Sequence, residues 1–293
     1  DSADVKLHSS ASTGGDLFID GSTDGAVGGN LSITATTGNI TQGVALAVAG
    51  TSTFITGATG SNIILDHADN AFTSTVTMKA DTGGNEAFGN ITFVDSADVK
   101  LHSSASTGGD LFLDGSTDGA VGGNLSITAT TGNITQGVAL AVTGTSTFIT
   151  SASNADIALT TTTNAFTGTV SFTTAGTNGD VTVVDASGLD LAASTVGGNL
   201  TATAATGNME DSGVLTIAGT SSFTTSATDA TITLNNANAF TGAVSLNTTG
   251  SSGNATVVDA SGLDLGASTV GGNLSATATT GNMTDSGNLT IAG

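Results

Sequence analysis

The chain of 293 residues contains no cysteine, proline, tryptophan, tyrosine or arginine, and its only lysines are Lys6, Lys79 and Lys100. Without cysteine there is no disulfide framework, no thiolate zinc site and no cysteine nucleophile. Three lysines cannot offset a phosphate backbone, which argues against nucleic-acid binding. Charged residues make up 9% of the chain, and the acidic ones outnumber the basic ones 24 to 3, for a net charge of -21. No stretch approaches the ~20 consecutive apolar residues of a membrane-spanning helix, and no signal pattern opens the sequence. What is present is glycine, 42 residues of it, and a 38% hydrophobic content. Val, Ile, Leu and Phe recur at regular intervals throughout, which a disordered chain would not show.

The regularity is an internal repeat. SADVKLHSSASTGGDLF begins at Ser2 and again at Ser96, and VGGNL begins at Val27, Val121, Val196 and Val270, giving shifts of 94, 75 and 74. NAFT begins at Asn70, Asn164 and Asn238, and DASGLDL at Asp185 and Asp259. The superrepeats run over about 1–94, 95–184 and 185–258, with a partial copy at 259–293. The additional length of the long period falls in Ser9–Ala26 and its copy Ser103–Ala120. It amounts to roughly 19 residues, the size of one coil of a β-solenoid, where each coil stacks only on its neighbours.

Apolar and polar residues alternate within the short runs, as in half-buried strands. Leu31, Ile33 and Ala35 are predicted inside, with Ser32 and Thr34 outside. Phe72, Val76 and Met78 are predicted inside, opposite Thr73, Thr75, Thr77 and Lys79, and Val5 and Leu7 inside, opposite Lys6 and His8. β-Branched content and frequent glycine disfavour helix, while pairs such as Gly28-Gly29 and Gly38-Asn39 mark corners that need positive φ. The expected fold is all-β, a single parallel β-solenoid of about 19 residues per coil and roughly 16 coils, about triangular in section. Neither end carries a polar cap, so the expectation is a window from a longer array.

At GNITQGVALAVAGTSTF (Gly38–Phe54), NAFTGTVSF (Asn164–Phe172) and DASGLDLAASTVGGNLTATA (Asp185–Ala204), the sequence resembles the filamentous-haemagglutinin-like giant repetitive adhesins exported by two-partner secretion. The resemblance spans essentially the whole chain. It implies a right-handed β-helix, a location outside the cell or on the bacterial surface, and the role of a stalk or fibre in attachment, aggregation or biofilm. A self-assembling filament or sheath protein is the alternative reading. The partners expected are other solenoids, along or beside the rod, and a host-cell, bacterial or polysaccharide surface, with no nucleic acid and no membrane insertion by this region. Strong acidity fits a surface polymer kept soluble at high local concentration.

The chemistry-bearing candidates are few. Asp16, Asp20 and Asp24, copied as Asp110, Asp114 and Asp118, supply carboxylates in GGDLFIDGSTDG. They read either as a solvated acidic face or as a Ca²⁺ site, because hard cations take several oxygen ligands together. The segment follows neither the calcium nonapeptide nor the EF-hand spacing. Lacking arginine beside its acids, the chain is expected not to be an enzyme, and no cofactor other than calcium is expected. His8 and His102 are copies of one position and His67 stands apart. Phe18 and Phe112 are predicted to face outward between acids, as lateral contacts between rods. Asn30-Leu31-Ser32 and Asn39-Ile40-Thr41 match glycosylation sequons, which follow from a corner Asn before a Ser/Thr-rich strand. Thr34-x-Thr36, Thr51-x-Thr53, Thr75-x-Thr77 and Thr201-x-Thr203 raise ice binding. The steps of 17 and 24 between the first three are no strict ladder, and the β-propensity of threonine accounts for them.

Overall fold

The computed structural model describes residues 26–80, 89–101 and 120–293, with the backbone alone of Val5–His8, Asp16–Phe18, His102 and Asp110–Leu113. All regular elements among these residues are β-strands, and every strand pairing is parallel. The chain forms two compact units, 1–150 and 151–293. Each is a parallel β-solenoid.

In residues 1–150, Leu31–Ala35, Ser52–Thr56 and Val76–Lys79 stack in one sheet. Ile40–Gln42, Ile63–Leu65, Ile91–Asp95 and Leu125–Ala129 stack in a second. Ala26–Val27, Ala47–Val48 and Ala71–Phe72 make a narrow third side. The three sides meet in the core, where the Phe72 ring lies 6.2 Å from that of Phe54 and 5.4 Å from that of Phe93.

In residues 151–293, Ile157–Leu159, Val181–Asp185, Leu200–Ala204, Ser221–Thr228 and Val244–Thr249 form one sheet. Leu189–Leu191, Met209–Asp211, Ile232–Phe240, Ala255–Asp259 and Leu274–Ala278 form the other. Ser194–Val196 and Leu215–Ile217 supply additional short strands. The Phe223 and Phe240 rings, 5.9 Å apart, bridge the interior.

The alternation read from sequence sets the core. Ile33, Ala35, Phe72, Val76 and Met78 are buried, and so are Val99 and Leu101, the copies of Val5 and Leu7. Burial of alternate apolar side chains on stacked coils is the main stabilising term. Thr75 departs from the expectation and is buried. It lies one residue before the strand, at a corner where its carbonyl accepts the Ser52 N–H at 2.9 Å.

Coil length and coil number both differ from the expectation. Residues facing each other on successive rungs are 21 apart (Leu31 and Ser52), 24 (Ile157 and Val181), 19 (Val181 and Leu200), 21 (Leu200 and Ser221) and 23 (Ser221 and Val244). The spacing averages about 21 residues, and the described residues make about 11 turns. The reason lies in how the superrepeat divides. Leu200–Ala204 and its copy in the following superrepeat, Leu274–Ala278, lie in different sheets of the same unit. A short superrepeat therefore advances three and a half coils, not four.

In the first unit Leu31–Ala35 and its copy in the following superrepeat, Leu125–Ala129, also lie in different sheets. The longer superrepeat thus adds no full coil. Of its additional residues, Asp110–Leu113 enters one sheet as a single strand between Val76–Lys79 and Val99–His102. The other sheet passes directly from Ile91–Asp95 to Leu125–Ala129.

Corner glycines serve a different purpose from the expected one. Positive φ occurs at Gly60, Gly176 and Gly250, but not at the VGGN corners. At the later VGGN corners the demand is close approach: a Cβ on Gly123 would stand 2.6 Å from Asn90 Oδ1, and one on Gly198 or Gly272 would run into Asp180 Oδ1 or Asn254 Oδ1, whereas Gly28 and Gly29 have open space. At the TIAG corner a Cβ on Gly219 would stand 2.6 Å from Asn199 Oδ1.

Candidate functional site

Corner asparagines and aspartates tie each coil to the next. Asn39 Oδ1 accepts the Asn62 N–H at 2.8 Å, Asn62 Oδ1 the Asn90 N–H at 2.7 Å, Asn90 Oδ1 the Asn124 N–H at 2.7 Å, and Asn124 Oδ1 the Thr145 N–H at 2.8 Å. In the second unit Asp156 Oδ1 accepts from Asp180 N at 2.8 Å, Asp180 Oδ1 from Asn199 N at 2.7 Å, and Asn199 Oδ1 from Thr220 N at 2.8 Å. These exposed ladders satisfy backbone donors where the chain leaves the sheet.

A second set of polar links lies inside. Asn70, Asn164 and Asn238 of the NAF segments are fully buried, as are Asp185 and Asp259 of the VVD segments, while Asp95 is nearly so. Asp185 Oδ2 accepts the Phe166 N–H at 2.9 Å, and its Oδ1 accepts the Ser187 N–H at 2.8 Å and hydroxyl at 2.9 Å. Asn70 Oδ1 accepts the Leu46 N–H at 2.9 Å and the Gln42 Nε2 at 2.7 Å, and its Nδ2 donates to Gln42 Oε1 at 2.9 Å and to the Val94 carbonyl at 3.1 Å. In the other unit Asp211 takes the place of Gln42: its Oδ2 accepts from Asn238 Nδ2 at 2.8 Å, and its Oδ1 from Asn235 N at 2.9 Å.

Burial pushes the Asp95 carboxyl up to about 6, against the lowering effect of N–H donors from Phe72, Ser96 and Ala97. Burial also raises Asp211, opposed by the Asn238 amide and the Asn235 and Asn236 N–H groups. These residues went unassigned at the sequence level. The signal was the recurrence of NAF at Asn70, Asn164 and Asn238 and of the Val-Asp pair ending at Asp95, Asp185 and Asp259.

The sequence-predicted site residues fall largely outside this description. Asp20, Asp24, Asp114 and Asp118 lie outside the described residues. Asp16 and Phe18 belong to the strand Asp16–Phe18, with Asp16 in register beside Lys6 and Phe18 beside His8. Asp110 is likewise beside Lys100, and Phe112 lies between His102 and Thr77. His67 Nδ1 accepts the Asp69 N–H at 3.2 Å and stands 3.9 Å from Asp69 Oδ2. Among the described residues, no three His, Cys, Asp or Glu side chains come together as a metal site. No helix among them is long and apolar enough to cross a membrane.

A shallow groove of about 280 Å³ lies in residues 151–293. Phe166, Gly188, Leu189, Asp190, Asn208 and Glu210 line it. Asp190 and Glu210 sit side by side on successive rungs, and Asp190 Oδ1 accepts the Ser212 N–H at 3.0 Å. Two neighbouring carboxylates make the groove acidic.

No curated protein and no solved structure matches the chain. A family model matches residues 4–79, 88–173, 178–247 and 252–293, following the superrepeats and covering most of the chain. The chain belongs to the family described as repeats of unknown function (DUF5649).

Proposed function

We propose that this chain is part of the shaft of a bacterial extracellular adhesin or surface fibre: one continuous, right-handed solenoid that holds a binding region away from the cell. The observation carrying this reading is the coil-to-coil linkage. Each superrepeat joins its coils through sheet ladders, exposed Asn and Asp ladders, and the buried NAF and VVD side chains. Pulling along the axis would have to break these hydrogen bonds in parallel, and the backbone they occupy is withheld from proteases. Handedness, surface location and absence of catalysis belong to this reading, together with the resemblance to two-partner-secreted adhesins. Acidity keeps such a surface polymer soluble.

Electron microscopy of the native assembly at the cell surface tests it. A thin rod rooted in the outer membrane, with a distinct distal tip, is the expected image. Thick bundles free at both ends would replace the shaft by the sheath or filament reading, and a compact globule would overturn both.

A further inference from the structure

Residues 151–293 contain no Lys, Arg or His, while Asp156, Asp180, Asp190, Glu210, Asp229 and Asp264 are all at least partly exposed. The carboxylates are unevenly placed. On one sheet Asp190 and Glu210 occupy successive outward positions of a single column that continues through Thr233, Thr256 and Ser275. The other sheet carries no outward carboxylate over five rungs, Asp185 being buried. Its outward residues form two in-register columns, Ala158–Thr182–Thr201–Ser222–Ser245 and Val184–Thr203–Thr224–Asn247. The inward residues between them, such as Val183, Ala202, Phe223 and Leu246, are fully buried, which fixes these columns as the outer face. Asp156 and Asp180 lie at one rim, and Asp264 follows on the next strand of the sheet. Sequence spacing hid this array, because coil length varies from 19 to 24 while the rungs stay in register.

We infer that this uncharged Ser/Thr face is a lateral contact surface for a second copy of the chain. Two copies with a net charge of -21 repel each other, and this face lets their backbones approach with no carboxylate between them. Ser, Thr and Val lose little rotamer freedom on contact. Two copies also share the same rung spacing, so their outward columns stay in step from one rung to the next. The face covers about 400 Å² per copy, from five rungs at ~4.8 Å and strands of ~17 Å. That is about half the area of a standard interface. A pair joined by this window alone is weak, and the contact strengthens by repetition along the rods. The inference stands apart from the shaft reading, since a rod with a bare face is still a rod.

Covalent capture tests it, because the chain has no cysteine and any disulfide must come from an introduced one. Thr203→Cys places a thiol at the centre of the face, and Thr256→Cys places one at a comparably exposed outward position of the other sheet. Both positions are outward, so circular dichroism should match that of the unsubstituted chain. Under mild oxidation the Thr203→Cys chain is expected to form covalent dimers at least tenfold faster than the Thr256→Cys chain. Adding Thr224→Glu to Thr203→Cys is expected to abolish that advantage. Equal rates at the two positions, no dimer at either, or an advantage indifferent to Thr224→Glu would overturn the inference. So would a Thr203→Cys chain that stays monomeric yet adsorbs to ice or to a neutral glycan, which would assign the face to a different lattice.

Discussion

The Asp259 carboxylate accepts the Phe240 N–H at 3.0 Å with one oxygen, and the Ser261 N–H and hydroxyl at 2.7 and 3.0 Å with the other. Asp185 makes the same three bonds to Phe166 and Ser187. One carboxylate thus joins a strand to a residue nineteen positions earlier and closes its own turn. Replacing Asp259 with Ala would leave the buried Phe240 N–H without its acceptor, and the expected cost is about 3 kcal/mol. Urea unfolding of Asp259→Ala against the unsubstituted chain measures it, and a loss below a third of that would show that the carboxylate is dispensable.

Acid should stabilise the unit that contains Asp95. Its folded carboxyl is raised to about 6 by burial, against ~3.9 in an unfolded chain. Between those values the folded chain holds a proton that the unfolded chain has released. Stability is therefore fully present below about pH 4 and declines as pH rises through about 6. The swing is at most about 3 kcal/mol, and Asp211, also raised by burial, acts in the same direction. Unfolding midpoints at about pH 4.5 should exceed those at about pH 7.5, and Asp95→Asn should flatten the difference.

Ser221 and Ser52 point into the core with hydroxyls that have no hydrogen-bond partner. Their rung neighbours are apolar: Leu200 and Val244 flank Ser221, and Leu31 and Val76 flank Ser52. Removing an unsatisfied buried hydroxyl costs no bond and relieves its desolvation. Ser221→Ala is expected to stabilise by about 1 kcal/mol, seen as a higher thermal midpoint. A lower midpoint would mean that the hydroxyl is bonded in solution.

Gly219 admits no side chain, because a Cβ there would stand 2.6 Å from Asn199 Oδ1 and from the Gly198 backbone. Gly219→Ala should cost about 2 kcal/mol by forcing stacked corners apart. Gly28 has open space at its Cβ position, so Gly28→Ala should be tolerated within about 0.5 kcal/mol. Parallel melting curves of the two variants separate close approach from a general need for glycine at corners.

The all-β character, the solenoid and most of the inward residues were legible in the sequence, because alternation is a local property with a period of two residues. Ile33, Met78 and Leu101 follow from it directly. The length of a coil does not, since it depends on which distant strands stack. A short superrepeat that closes three and a half coils carries Leu200 and Leu274 to different sheets, and no count within one copy reveals that. The motifs holding Asn238 and Asp211 were visible, but their bond crosses 27 residues and exists only after the coils stack. The two hydroxyl columns likewise appear only when unequal coils are set in register by the ladder. Local sterics and burial wrote the strands into the sequence, while stacking between distant segments decided their partners and therefore the surfaces they build.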